Sequence, residues 1–94
     1  MYSAQGLLID GAWRGASDGA AMPVLSPVTE APVGHIPVAS AADQDAALSA
    51  AARAFPLWAA VVAWDRAAIL RRAAELLRVR ADDLARVMST ETGK

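Results

Sequence analysis

No cysteine occurs in the 94 residues, which excludes a disulfide framework, a thiolate nucleophile and any thiolate metal site within these positions. Histidine occurs once, as His35. Although imidazole is the side chain that titrates near neutrality unaided, His35 lies between Gly34 and Ile36 with no carboxylate that sequence places beside it, and it reads as a solvent-facing structural residue. Large apolar side chains are scarce, because 24 of the 52 apolar residues are alanine, which favours helix and buries little area. A chain this short buries only about 60–65% of the surface it exposes unfolded, so a sizeable core is not guaranteed. An excess of charge of either sign is lacking too: the net charge is −1, and the arginines of the second half are balanced by nearby acids. That balance argues against a nucleic-acid partner. The longest apolar run, Ala54 to Trp64, contains Pro56 and falls well short of the roughly 18 residues of a membrane span. The first ten residues, MYSAQGLLID, show neither a basic n-region nor a long apolar h-region. These features predict a cytoplasmic protein with no membrane partner.

What is present is helix. From Trp64 to Lys94 the residues Leu70, Ala73, Ala74, Leu77, Ala81, Leu84 and Met88 recur every three or four positions, which places them on one side of a helix that must be covered. Arg71, Arg72, Glu75, Arg78, Asp82, Asp83 and Arg86 fall opposite. The spacings Arg71 to Glu75 and Asp82 to Arg86 suit i,i+4 ion pairs worth ~0.2–0.5 kcal/mol each. Asp65 lies in the first turn with no side-chain cap ahead of it, Arg80-Ala81-Asp82 is a candidate break or bend, and Gly93 suits the residue after the helix. The alternating steps of four and three through positions 70, 74, 77, 81, 84 and 88 also fit a short coiled-coil seam. A free-standing helical dimerisation protein is therefore the alternative structural reading.

Ahead of this helix the chain is extended. Leu7 to Ile9, Asp10-Gly11 and Ala12 to Arg14 have the pattern of a hairpin closed by a type I′ turn. Gly15 to Ala21 is a small-residue loop with no packing signal. Met22 to Pro27 reads as an edge strand because its two prolines each remove a ladder donor. Val28 to Gly34 reads as a turn, and Gly34 to Val38 as another extended piece. Ser40 and Asp43 have the spacing of a capping box, which starts a helix at Ala41. Leu48, Ala51, Ala52 and Phe55 form its apolar face, and Pro56 is expected to end it. The division is thus 1–39 hairpin and edge strands, 40–56 first helix, and 63–93 helical segment.

Little in this pattern carries chemistry. Asp82 and Asp83 point about 100° apart on a helix and do not share a proton or a metal. Gly93-Lys94 does not complete a phosphate loop, since position 88 is methionine and no Ser or Thr follows. The three tryptophans, Trp13, Trp58 and Trp64, read as core or interface anchors. Glu91 stands out because it lies at a helix end beside a glycine, where main-chain carbonyls converge and a hard cation finds oxygen ligands.

In order and spacing, LLIDGAW, PVLSPVTEAPVGHIPVAS, DQDAALSAAARAFPLW and RAAILRRAAELLRVRADDLARVMSTETGK resemble the amino-terminal segment of the NAD(P)-dependent aldehyde dehydrogenases. The helices resemble those of the succinate-semialdehyde type. The resemblance implies an α/β parent fold with a Rossmann-type cofactor domain, a catalytic domain and an oligomerisation hairpin. On this reading residues 1–94 begin the cofactor domain, their partner is the remainder of the chain, and the parent is a homo-oligomer. The family's cysteine nucleophile, its water-activating glutamate and its NAD- or NADP-holding segments have no counterpart here, so no catalytic or cofactor-binding residue is assigned and the stretch alone is expected to be inactive. One family feature maps onto these positions: some members hold a sodium or potassium ion between two main-chain carbonyls matching Val24 and Leu25 and an acid matching Glu91. Departures are Asp10 and Ser26 where asparagine is usual, and Glu30-Ala31 where Gly-Glu is usual.

Overall fold

The computed structural model describes residues 6–94, and its first element follows from two positive φ angles, 52° at Asp10 and 75° at Gly11. Together they form the I′ turn, whose twist matches that of the strands it joins. Strand β1 (Leu7–Ile9) therefore pairs antiparallel with β2 (Ala12–Arg14), with Ile9 opposite Ala12 and Leu7 opposite Arg14. A second ladder joins β3 (Ala21–Leu25) to β4 (Pro32–Pro37), with an irregularity between Val24 and Leu25. The expected turn is shorter than its sequence suggests, because Ser26 closes it early. The Ser26 main chain donates to the Ala31 carbonyl at 2.9 Å and accepts from the Glu30 N–H at 2.8 Å, while its hydroxyl accepts from the N–H groups of Val28 and Thr29, both at 3.3 Å. Within this turn Glu30 holds φ at 59°, in the left-handed region.

Three helices follow: α1 (Ala41–Ala60), α2 (Ala63–Val79) and α3 (Ala81–Thr92). The capping box starts α1 as expected, with Ser40 and Asp43 bonding each other's main chain. Pro56 does not end it. The proline removes the bond to the Ala52 carbonyl, but every residue from 51 to 60 is exposed, so that carbonyl has water available and the helix continues for another turn. The end comes instead at Val61, whose extended backbone (φ −65°, ψ 134°) turns the chain through 118° into α2. The long second helix is likewise two: Arg80 adopts φ −100°, ψ 13°, and α3 begins again with Asp82 and Asp83 in its first turn, where carboxylates favour the positive end of the dipole. This break falls between positions 77 and 81 and interrupts the coiled-coil seam. Its surface ion pairs are also spaced differently from expectation, as Arg72–Glu75 and Asp83–Arg86, each i,i+3 at 3.3 Å.

The hairpin lies along α1, and two ion pairs mark the ends of the contact. Arg14 meets Asp43 at 2.9 Å and Arg53 meets Asp10 at 3.2 Å. The ten residues from Asp43 to Arg53 advance about 15 Å along the helix, so the two pairs hold the hairpin against α1 at both ends of nearly three turns. Between them the half-buried Ala46 and Ala50 lie on the side of α1 that carries Asp43 and Arg53, while Ala47, Ala51 and Ala54 border an open cleft beside Leu8 and Ile9. The side of α1 that meets the hairpin runs through Asp43, Ala46, Ala50 and Arg53 rather than through the predicted face, on which Ala51 and Ala52 are exposed and Leu48 and Phe55 are 70% and 73% exposed. Small side chains let the strand backbone approach.

No apolar residue among those described is buried. The molecule is a slab of 48 × 35 × 16 Å whose predicted stripe at Leu70, Leu77, Leu84 and Met88 stands open to solvent. Its helices are amphipathic as read, but nothing within the described residues covers them.

Candidate functional site

The ends of β3 and α3 determine whether Val24, Leu25 and Glu91 belong together. At Gly93 the chain leaves α3 with φ at 72°, its N–H bonded to the Ser89 carbonyl at 2.9 Å. A Cβ placed on Gly93 would stand 3.0 Å from Pro27 Cγ and 3.3 Å from Val28 Cγ2. The helix therefore lands on the turn that follows β3. Glu91, two residues before Gly93, and Leu25, two residues before Pro27, are brought to the same end of the molecule by this close approach. Opposite Leu25 stands Pro32, which has no N–H to give, and the ladder is irregular at this rung. The ladder thus lacks one N–H at this rung, and main-chain carbonyl oxygen is the ligand type that suits a sodium or potassium ion. Among the described residues no group of three His, Cys, Asp or Glu side chains is placed to hold a metal, so an ion here would rest on carbonyls and one carboxylate.

The most structured polar site was only half legible. Asp43 is fully buried and its carboxylate gathers donors from three segments: Arg14 Nη2 of β2 at 2.9 Å, the Ser17 N–H at 3.0 Å, and the Ser40 N–H and hydroxyl, both at 2.9 Å. The Ser17 and Ser40 hydroxyls meet at 2.7 Å. Hydrogen bonds to the charged form lower the Asp43 pKa from 3.8 to about 2, the Ser17 N–H first and the Ser40 N–H second, against the opposing effect of burial. This knot gives the loop after β2 a packing role that its small residues do not advertise. One signal pointed to it: Arg14 is the sole cation in the first 52 residues.

Other candidates separate. His35 is exposed on β4 opposite Pro23, as its surroundings in sequence suggest. Among the described residues Asp82 has no ion-pair partner, and Asp83 bonds Arg86 at the surface. The tryptophans are not core residues, since Trp13, Trp58 and Trp64 are 66%, 40% and 78% exposed.

The profile of the aldehyde dehydrogenase family matches residues 13–94. The chain belongs to this family. Among curated relatives, N-succinylglutamate 5-semialdehyde dehydrogenase of Chromobacterium violaceum is 48% identical over 88 residues, which are 94% of this chain and 18% of that protein. The NADP(+) succinate-semialdehyde dehydrogenase GabD of Escherichia coli K12 is 42% identical over 90 residues, covering 96% of this chain and 19% of that one. Two solved structures superpose closely. A 3,6-anhydro-L-galactose dehydrogenase in complex with NAP gives a TM-score of 0.91 at 35% identity, over 98% of this chain and 19% of its own. PnpE in complex with nicotinamide adenine dinucleotide gives 0.90 at 37% identity, over 95% and 18%. The chain thus spans about a fifth of the length of the aldehyde dehydrogenase relatives it matches. Its hairpin, edge strands and three helices have the arrangement found in those larger dehydrogenases.

Proposed function

We propose that residues 1–94 are the amino-terminal part of the cofactor-binding domain of an aldehyde dehydrogenase, an oxidoreductase that converts aldehydes to carboxylic acids with NAD or NADP. The observation that carries this reading is the superposition of 98% of the chain on a family structure at a TM-score of 0.91, with less than a fifth of that structure accounted for. The semialdehyde relatives point to an aldehyde that carries a second, acidic group. This stretch contributes strands and helices rather than chemistry: with no cysteine it has no thiolate to attack the carbonyl, and the groups that hold the dinucleotide lie in other parts of the family's sequence. Its partner is the remainder of an aldehyde dehydrogenase chain, and the complete enzyme is a cytoplasmic homo-oligomer. No single described helix is long and apolar enough to cross a membrane.

Within the assembled enzyme the carbonyls of Val24 and Leu25 and the carboxylate of Glu91 fit a sodium or potassium ion, which would fasten the end of α3 to the end of β3. The convergence of Gly93 on Pro27 and the missing N–H at Pro32 support that assignment.

The test is complementation. The 94-residue chain is combined with E. coli GabD deleted for its matching segment, and NADPH formation from succinate semialdehyde is followed. We expect no turnover by either part alone and recovery on mixing. Turnover by the purified 94-residue chain, or failure of the two parts to associate, would overturn the proposal.

A further inference from the structure

Helix α1 has two sides, and the hairpin occupies one of them. Asp43, Ala46, Ala50 and Arg53 lie on the hairpin side, whereas Leu48, Ala52 and Phe55 project from the opposite side by helical spacing. Leu48 is 70% exposed, Phe55 is 73% exposed, and Ala52 between them is exposed as well. No charge solvates this side: beyond Asp45 the sole charged residue of α1 is Arg53, and it is bonded to Asp10 of the hairpin. A helix side that faces water carries polar or charged residues, so an uncharged stripe with two large apolar groups has the pattern of a covered one. Neither neighbouring helix covers it, because α2 leaves at the 118° bend and both side chains stay open.

The size of the stripe bears on what covers it. Burying Leu48 and Phe55 removes about 200–350 Å² from water, well under the ~800 Å² that one partner contributes to a standard interface between separate molecules. By itself the stripe is therefore too small to hold two copies of this chain together. An element of the same polypeptide requires no such area, since tethering already limits the freedom that separate molecules lose on association. Over four fifths of the matched relatives' length lies outside the match, and the family reading supplies the element from there.

We propose that the side of α1 carrying Leu48, Ala52 and Phe55 is a docking surface for an apolar element of the remainder of the dehydrogenase chain. That placement makes α1 the middle of three layers, with the hairpin on its other side. The inference rests on the proposed function and adds to it the surface and the side chains through which the rest of the chain is received.

The test reads the chain only in its complex with the deleted GabD of the complementation pair. Because these 94 residues contain no cysteine, Leu48→Cys and Phe55→Cys each place a single thiol on the chain, and its alkylation is followed by the mass of the chain recovered from the complex. Folding of these residues leaves both positions open, so folding alone does not shield a thiol there, whereas a covering element does. Alkylation slowed roughly 10-fold or more against the same chain unfolded in urea is the expected result. Benzoylphenylalanine at position 55, irradiated in the complex, should crosslink to the GabD part. Since neither side chain is buried within these residues, its truncation does not unfold them, and a thiol variant that no longer associates when the wild-type chain does also places that side chain in the contact. If the complex forms while either thiol reacts as freely as in the unfolded chain, this inference fails and the family reading stands. Crosslinks that join two copies of the 94-residue chain would make a second copy the occupant and overturn the proposal. No association by the wild-type chain overturns both.

Discussion

On the proposed reading, these 94 residues apart from the rest of a dehydrogenase chain should hold helix but no cooperative fold, and the size of the deficit can be worked from their surface. The structure exposes 7325 Å², whereas a compact monomer of 9.8 kDa exposes about 5,200 Å² by the usual scaling. Its radius of gyration tells the same story, at 16.7 Å against about 12 Å for a compact chain of this length. The difference in area is about 2,100 Å², well above the ~800 Å² that one partner contributes to a standard interface. Taking a little over half of it as apolar, the missing burial corresponds to about 30 kcal/mol at most. Domains of this length retain only about 5–14 kcal/mol of net stability, so the deficit exceeds any plausible reserve. Urea titration followed by circular dichroism and by tryptophan emission, with sedimentation in parallel, measures this. A broad transition, non-coincident between probes and accompanied by self-association, is expected. A sharp, coincident transition from a monomer would refute the area argument.

The Asp43 knot gives a prediction in pH. Its folded pKa is depressed to about 2 from 3.8, so its stabilising contribution is complete above pH 4 and is lost as pH falls through about 2. In the assembled protein, Asp43→Asn should lower the protection of the Ser17 and Ser40 amides at neutral pH, measured against their intrinsic exchange rates; unchanged protection would remove the knot from the joint between hairpin and α1. Glu30 holds a left-handed backbone at an exposed turn position, where relief of the ~1–2 kcal/mol cost to an L-residue outweighs glycine's ~0.5–1 kcal/mol entropy penalty. Glu30→Gly should therefore raise the melting temperature of the assembled enzyme, and a lower one would count against the strain. At the proposed ion site, Glu91→Gln should abolish any thermal stabilisation of the assembled enzyme by sodium or potassium over choline at equal ionic strength, and an unaltered cation effect would exclude that carboxylate as a ligand.

Local chemistry was readable wherever a few consecutive residues decide the outcome. Asp10-Gly11 dictated the I′ turn, Ser40 and Asp43 dictated the start of α1, and Gly93 dictated the end of α3, because each depends on backbone preferences or hydrogen bonds within four residues. Non-local balance was not readable. Whether Pro56 ends α1 depends on whether the carbonyl it orphans can reach water, and the exposed face of the helix supplies that. The reach of Arg14 to Asp43 needs the hairpin and the helix laid side by side, and the side through Ala46 and Ala50 that receives the hairpin is distinguishable from the Leu48 and Phe55 face only once that docking is seen.

The amino-acid sequence by itself determined the elements, their caps and turns, and the family whose pattern they follow, since those rest on periodicity and short-range bonding. Only the tertiary structure decided which surfaces meet. It showed that the stripe from Leu70 to Met88 is broken at Arg80 and open to solvent, that Asp43 is a buried hub, and that the end of α3 returns to the end of β3. Those outcomes depend on how separate segments share donors, acceptors and apolar area, none of which is set within a few consecutive residues.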